Sequence, residues 1–397
     1  MHGIFRAILN KSAYALKFWR NKIMKKLLSL VLVVVAVFCM AACAENAATG
    51  YTANNTEYFI GGTGPLTGDA SSYGVSVNNG LSLAIEEINA AGGLNGVLFK
   101  FDMKDDQAAA DKASTAYDQL YEAGMQISMG SVTSGSCEAF ATKAANDNLF
   151  FITPSASADI CIAAPNAFRV CFGDPDQGVL AAQELVANFE NIGAIYDKSD
   201  TYSSGIFEAF EAEMANLGKE FITQSFDAEN NKDFSTQIEA LKDCDVIFLP
   251  IYYTEAGLIA KAAVAKGCDA VIFGCDGLDG IAEQIDETVT NTIKYITPFD
   301  VNSEDEKVAA FVANYTAKYG VAPDQFAADG YDVAMVIYEA MKAAGINDVT
   351  IAPDALCDAV KEAILADGFK FVGTTGEMTW DESGAATKVP VIVELNK

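Results

Sequence analysis

Short apolar strands alternate with amphipathic helices along most of this 397-residue chain, and they do so in two separate series. The first series runs from residue 58 to 152 and the second from 193 to 299. Such alternation favours parallel sheets with helices on both faces. Further helices and a last strand are predicted at 304–319, 327–344, 354–366 and 389–395. We therefore predict an α/β fold with two doubly wound parallel-sheet lobes, between which the chain crosses several times.

Helical periodicity carries the helix predictions. Val77, Leu81, Ile85 and Ile88 fall on one face of the first helix, which the glycine pair at 92–93 should end. The other helices of the two series are predicted at 108–123, 135–146, 204–217, 233–242, 255–266 and 279–286.

The stretch Met24–Cys43 has the layout of an export signal. It opens with two lysines, continues as an unbroken apolar run at 30–37, and ends on two alanines directly before Cys43. This order is typical of a secretory signal, and a cysteine after the small pair resembles the lipidation site of bacterial lipoproteins. The apolar run at 27–42 is short for a membrane-spanning helix, which takes about 20 residues. An uncleaved membrane helix is the alternative.

We predict that residues 1–42 are a signal or presequence, with translation starting at Met24. Residues 43–56 are small and polar, which predicts a flexible linker behind a lipidated Cys43. The mature chain is then extracytoplasmic and is anchored to the cell membrane by its lipid alone.

The acidic composition limits the possible partners. The formal net charge of −28 becomes −35 when the seven lysines and arginines of residues 1–42 are removed. Binding to nucleic acid or to anionic lipid needs a basic surface, so we predict neither as a partner. An apolar share of 51% opposes disorder, and the remaining length suits two domains better than one.

Histidine and cysteine usage restricts the chemistry. The only histidine is His2, which lies in the predicted presequence. Histidine triads and histidine metal sites are thereby excluded from the mature chain, while carboxylate or lysine chemistry stays open. With no nucleophile elbow or metal-ligand cluster in the sequence, we predict no metal, no cofactor and no enzymatic activity. Seven cysteines follow Cys43 without a CxxC pair. An odd number leaves at least one unpaired; most fit buried small apolar positions, and one disulfide stays open.

Small hydroxyl residues follow two strands of the first series. The segment GSVTSGSCEAF at 130–140 places Thr133, Ser134 and Ser136 at the start of a helix, where free N–H groups favour an anion. ITPSAS at 152–157 follows the next strand, and ligands of open α/β sheets bind outside the carboxyl ends of strands. The two loops predict a cradle for a carboxylate, with simple capping of the helix by Ser134 as the alternative.

Tyr202, Tyr252 and Asp276 take corresponding places after strands of the second series. An acidic group opposite a carboxylate cradle suits a zwitterion, because one side neutralises an ammonium group and the other a carboxylate. The glycine-rich loop GGTGPLTG at 61–68 does not have the spacing of a dinucleotide-binding fingerprint. The hydroxyl and acidic residues together therefore predict a small zwitterionic ligand, whereas each residue taken singly fits ordinary surface or packing.

The segment GPLTGDASSYGVSVNNGLSLAIEEINAAGGLNG at 64–96 is similar to the opening of bacterial leucine/isoleucine/valine-binding proteins. These are the solute-binding components of branched-chain amino-acid-type ABC importers. The resemblance runs from about Thr56 to the C-terminus and implies a type I periplasmic-binding architecture, with two lobes that close on a ligand and no enzymatic activity. Further matching stretches are KDDQ at 104–107, FFITPSAS at 150–157, FRVCFGDPDQG at 168–178, KDFSTQIEALK at 232–242 and TWDESG at 379–384.

The resemblance also implies roles for individual residues. Ser134 takes the place of a residue that binds the ligand carboxylate, and Ser157 that of a threonine that touches both ends of an amino acid. Ser155 would present a carbonyl to the ammonium group, which Asp276 would neutralise, while Tyr202 closes over the ligand. The full predicted ligand-binding set is Tyr73, Thr133, Ser134, Ser155, Ala156, Ser157, Tyr202, Tyr252 and Asp276.

The same resemblance implies three hinge crossings and a lobe division. The crossings are expected near Gly173–Pro175, Pro298–Asp300 and Gly373–Thr379. Lobe 1 is predicted at 57–172 plus 301–372, and lobe 2 at 173–300 plus 373–397.

The predicted function is that of a lipid-anchored solute-binding protein. It would capture a small neutral amino acid, branched-chain or other, and deliver it to an ABC permease and ATPase complex. Asp276 is shorter than the glutamate of leucine-type proteins, and a disulfide of some relatives cannot form because Gln107 and Ala108 supply no cysteine. A ligand that is an amide, urea or an aromatic acid is therefore an alternative, as are a sensor for a separate receptor and an exported enzyme.

Overall fold

Two open sheets organise residues 55–395, the part of the chain that the computed structural model describes. The predicted signal, Cys43 and most of the predicted linker lie outside the described residues. The thirteen strands of the described part are β1 (Tyr58–Gly64), β2 (Phe99–Asp105), β3 (Ile127–Ser131), β4 (Phe151–Thr153), β5 (Ala167–Arg169), β6 (Ile192–Asp197), β7 (Ile222–Phe226), β8 (Val246–Leu249), β9 (Val271–Gly274), β10 (Ile293–Thr297), β11 (Phe371–Gly373), β12 (Gly376–Met378) and β13 (Val391–Glu394).

The same residues contain ten α-helices, most of them at or near the predicted places. They are α1 (Ser71–Ala90), α2 (Ala110–Glu122), α3 (Ser134–Asp147), α4 (Asp174–Asn188), α5 (Thr201–Asn216), α6 (Ser235–Leu241), α7 (Tyr253–Lys266), α8 (Glu306–Tyr319), α9 (Gln325–Ala343) and α10 (Pro353–Ile364). The predicted apolar face of α1 is confirmed, because Val77, Leu81, Ile85 and Ile88 are all buried.

The two sheets define two lobes. The first lobe is built on a parallel sheet with strand order β2-β1-β3-β4-β5, and the second on a sheet with order β13-β10-β9-β8-β6-β7, in which only β13 is antiparallel. After β10 the chain returns to the first lobe, where α9 packs along α1 and contacts β3 and β4. The chain then adds β13 to the second sheet, so it passes between the lobes three times. The predicted fold class is confirmed, while the lobe boundaries stay predictions.

Two helical regions differ from the sequence predictions, and strands β5, β11 and β12 were not predicted. The helix predicted at 279–286 is wrong, since this region forms two short 3-10 turns, Asp276–Leu278 and Ile281–Glu283. Gly280 separates the turns with a φ of +100°, a conformation that ends a helix. Helix α4 was not predicted, because its opening Asp-Pro pair has the composition of a turn, although proline suits the first turn of a helix.

The cysteines and the helices add two further observations. The seven cysteines between Cys137 and Cys357 are all buried and unpaired in the structure, which confirms that they are small core residues. No helix between residues 55 and 395 combines the length and apolarity needed to cross a membrane.

Candidate functional site

A small cavity between the two lobes brings together seven of the nine predicted binding residues. It contains about 240 Å³ of space between atoms, including open solvent, and its walls lie close together. Ala156 and Ser157 are fully buried beside it without lining it. The lining residues are Tyr73, Val132, Thr133, Ser134, Ser155, Tyr202, Tyr252, Asp276, Gly277 and Phe326.

The N-terminus of α3 forms the wall that belongs to the first lobe. The helix begins at Ser134, one residue earlier than predicted, and Thr133 is its N-cap residue. Ser134 is therefore not the cap; its Oγ accepts a hydrogen bond from the Ala158 N–H at 3.3 Å. The hydroxyls of Thr133 and Ser136 are buried and have no hydrogen-bond partner among the described residues. Free hydroxyls and N–H groups at a helix N-terminus favour a carboxylate.

Hydrogen bonds hold the loop after β4 against the loop after β3. The Ser155 hydroxyl donates to the Val132 carbonyl at 2.7 Å, and the Thr153 hydroxyl donates to the Ser131 carbonyl at 2.7 Å. Both donors are buried. The two strand ends therefore meet at one edge of the first sheet, as the sequence predicted.

Asp276 forms the opposite wall, at the end of β9 in the second lobe. It is 4% exposed, and its Oδ1 accepts a hydrogen bond from the Tyr202 hydroxyl at 2.7 Å. Burial raises the pKa of Asp276 to about 6, although the bond from Tyr202 lowers it. Within residues 55–395 no lysine or arginine forms an ion pair with Asp276. A buried carboxylate with neutral donors alone is a suitable partner for a cation.

Aromatic rings close the remaining sides of the cavity. Tyr202 stacks on Tyr252 with ring centroids 5.0 Å apart, and Tyr73 meets Tyr252 edge-on at 5.5 Å. Phe326 packs on Tyr73 at 4.3 Å. Burial raises the pKa of each tyrosine well above its ordinary value, so the hydroxyls stay neutral. These rings can contact the apolar part of a small ligand.

Contacts beside the cavity join the lobes to each other. The Tyr73 hydroxyl donates to the Gly277 carbonyl and accepts a hydrogen bond from the Tyr253 N–H at 3.0 Å. The Thr254 hydroxyl donates to the Asp69 carbonyl at 2.8 Å. Tyr73 and Asp69 belong to the first lobe and their partners to the second, so the lobes are closed over the cavity.

Sequence reasoning missed several buried residues near the cavity, including Asp174, Gln177, Gln325 and Phe326. Asp174 is 2% exposed, and burial raises its pKa well above the ordinary value. Its carboxylate lies beside the Ser157 hydroxyl, but the distance and angles between the two groups are not those of a hydrogen bond. Asp174 and Gln177 lie in the unpredicted helix α4, and the matching stretch at 168–178 was the available signal.

A wider groove lies elsewhere, between α8, α9 and the β11–β12 hairpin. It contains about 1580 Å³, including open solvent, and none of the nine predicted residues line it. We assign the site to the smaller cavity because hydroxyl, carboxylate and aromatic groups converge there.

Comparisons with known proteins match most of the described residues. Residues 57–392 fit the family model for periplasmic binding proteins. The Leu/Ile/Val-binding protein BraC3 of Rhizobium johnstonii is 28% identical over 336 residues, which are 83% of this chain and 88% of that protein.

Two solved structures have a similar fold. The branched-chain amino acid transporter substrate-binding protein LivJ of Streptococcus pneumoniae, in complex with isoleucine, superimposes with a TM-score of 0.77 and is 28% identical, covering 86% of this chain and 96% of its own. The leucine-binding protein LivK of Thermotoga maritima gives a TM-score of 0.76 at 26% identity, covering 84% and 94%.

Proposed function

The chain belongs to the periplasmic binding protein family, and we propose that it captures a small neutral amino acid between its lobes and delivers it to an ABC importer. The observation that carries this proposal is the pairing of opposite walls in one cavity. Asp276, a buried carboxylate with a neutral hydrogen-bond donor, lies on one side, and the α3 N-terminus with the free Thr133 hydroxyl lies on the other. A zwitterion matches both walls at once.

The geometry supports a role for each wall. Asp276 would neutralise the ligand ammonium, while Ser134 and Thr133 would bind its carboxylate with N–H and hydroxyl groups. The tyrosine rings and Phe326 would cover an uncharged side chain. Tyr73 would hold the lobes closed through its bonds to Gly277 and Tyr253. Related proteins named for leucine, isoleucine and valine binding favour an aliphatic ligand.

Delivery to a permease and ATPase complex follows from the family's transport context. We propose that a lipid on Cys43 keeps the chain at the outer face of the membrane, where its closed form meets the importer. Replacing Cys43→Ser should move the protein from the membrane fraction to the medium without changing ligand affinity. If the variant stays in the membrane fraction, the proposed lipid anchor on Cys43 is contradicted.

A thermal-shift screen of the full chain tests the ligand. The probes are the twenty amino acids, small amides, urea and benzoate. A ligand that binds the folded form alone raises the melting temperature by an amount set by its concentration over its dissociation constant. A shift with leucine, isoleucine or valine supports the proposal. A shift with benzoate or urea alone would overturn the role of Asp276 as an ammonium partner.

A further inference from the structure

Gln325, the first residue of α9, forms hydrogen bonds to the second lobe with its backbone N–H and with both polar atoms of its side-chain amide. Its N–H donates to Oδ2 of Asp279 at 3.0 Å, and its Nε2 donates to the Asp276 carbonyl at 2.8 Å. Its Oε1 accepts a hydrogen bond from the Thr297 hydroxyl at 2.7 Å, at the end of β10. The residue is 1% exposed. Since α9 packs on α1, β3 and β4, Gln325 joins the first lobe to three points of the second.

A second glutamine holds the other side of the Asp276 backbone. Oε1 of Gln177 accepts a hydrogen bond from the Asp276 N–H at 3.0 Å. Gln177 lies in α4, which packs on α5 within the second lobe. Both backbone polar groups of Asp276 therefore contact a buried glutamine side chain, one from each lobe, and the carbonyl also accepts a hydrogen bond from the Asp279 N–H within the turn.

The turn that carries Asp276 depends on such support. It is a single 3-10 turn, Asp276–Leu278, followed by Gly280 at a φ of +100°. A side chain added at Gly277 would lie 2.7 Å from the Tyr202 hydroxyl and 3.0 Å from the Ile251 carbonyl, so the turn is tightly enclosed. The direction of the Asp276 carboxylate is fixed by this backbone and by Tyr202.

We propose that Gln325 is a positioning residue, which aims the Asp276 carboxylate at the cavity. It also connects the backbone of Asp276 to Thr297, at the start of the second crossing. This inference rests on the proposed role of Asp276 in binding. When the lobes separate, the Gln325 amide and its partners must lose these bonds or move together, and buried polar groups left without partners are costly. Occupation of the site at Asp276 is thereby linked to the closed arrangement.

The chain offers a matched control in Gln126. This glutamine is also fully buried and also makes three hydrogen bonds, to the Phe59 N–H and to the carbonyls of Val349 and Ile351. It does not line the cavity. Gln126→Met and Gln325→Met remove the same polar groups from equally buried places and should both lower the melting temperature.

The first measurement is the affinity of the full chain for L-leucine by calorimetry. Gln325→Met should weaken binding about tenfold or more, because the misplaced carboxylate loses a buried interaction. Gln126→Met should stay within about twofold of the wild type, since it changes stability alone. If the wild type binds L-leucine and both variants lose the same affinity, the positioning role is overturned while the proposed function stands.

The second measurement needs no ligand. The amides of residues 276 to 279 are all hydrogen-bonded, so hydrogen exchange at this turn should be slow in the wild type. Exchange there should be at least about fivefold faster in Gln325→Met and unchanged in Gln126→Met. Equal exchange in the two variants overturns the inference. If the wild type binds no probe of the screen, the proposed function fails, and this exchange measurement still decides whether Gln325 fixes the turn.

Discussion

The Tyr202 hydroxyl donates a hydrogen bond to Oδ1 of Asp276 at 2.7 Å and accepts one from the Gly277 N–H at 2.9 Å. The phenol is thus fixed by the backbone of the same turn whose carboxylate it holds. It supplies a neutral donor and leaves the negative charge of Asp276 uncompensated. A ligand ammonium is the group that would complete this pair.

Asp276→Asn should weaken L-leucine binding about 100-fold or more, because a buried charge pair loses one partner. The ligand-free variant should be at least as stable as the wild type, since an uncompensated buried charge is removed. Calorimetry and thermal unfolding measure the two effects. Asp332→Asn is the control: Asp332 is fully buried and accepts bonds from Thr374 and Thr375 away from the cavity. Equal loss of affinity in both variants would contradict the assignment.

Affinity should fall as the pH drops below about 6. Burial raises the pKa of Asp276 to about 6 in the ligand-free protein, and the neutral acid cannot pair with an ammonium group. The effect of this group on folding stability has the opposite sign. The folded state keeps the proton while the unfolded state releases it, so the free energy of unfolding decreases as the pH rises from about 4 to about 6.

Dissociation constants at about pH 5 and about pH 7.5 test this dependence. Asp276→Asn should bind weakly at both values, with a much flatter profile than the wild type. Asp174 and Asp279 are the other buried acids near Asp276. A variant profile as steep as that of the wild type would assign the titration to one of them.

Thr133→Val should stabilise the ligand-free protein slightly and weaken ligand binding. The Thr133 hydroxyl is buried without a hydrogen-bond partner among the described residues, and valine has the same shape without that group. A rise of about 1 °C or more in melting temperature, together with an affinity about fivefold lower, is expected. Unchanged affinity would mean that the hydroxyl does not face the ligand carboxylate.

Tyr73→Phe should weaken binding about fivefold, because the closed form loses two hydrogen bonds across the lobes. X-ray scattering with saturating L-leucine should show a larger fraction of open protein than in the wild type. Tyr58→Phe is the control, since the Tyr58 hydroxyl is buried and has no partner within residues 55–395. If both variants close and bind alike, Tyr73 does not hold the lobes together.

Local patterns predicted most strands of the two large sheets and the residues that face each other across the candidate cavity, whereas β5, β11 and β12 were not predicted. Alternating strands and helices indicated the lobes, and hydroxyl or acidic residues after the strands indicated the edge where a ligand binds. Gln325 and Phe326 could not be placed on this basis. They begin a helix far along the chain, and only the packing of α9 on α1 brings them to the cavity. Non-local packing of this kind has no periodic signal.

Lys388→Met should destabilise the protein by about 3–5 kcal/mol near pH 8. Lys388 forms an ion pair with Asp329 at 2.9 Å, in which the lysine side chain is fully buried and the aspartate side chain is 3% exposed. Removing the lysine leaves a buried carboxylate without a counter-charge. Burial already raises the pKa of Asp329 to about 7. At about pH 5 this carboxyl group should therefore be protonated in the variant, and the loss of stability should be smaller than at pH 8.

The double variant Asp329→Leu with Lys388→Met separates the charge effect from the packing effect. Replacing a buried ion pair by apolar side chains is often close to neutral, so the double variant should recover most of the stability that the single one loses. Denaturant unfolding of the three proteins at both pH values measures this. If the double variant is as unstable as the single one at pH 8, the loss comes from packing of the Lys388 side chain, and the ion pair contributes little to joining α9 to the segment before β13.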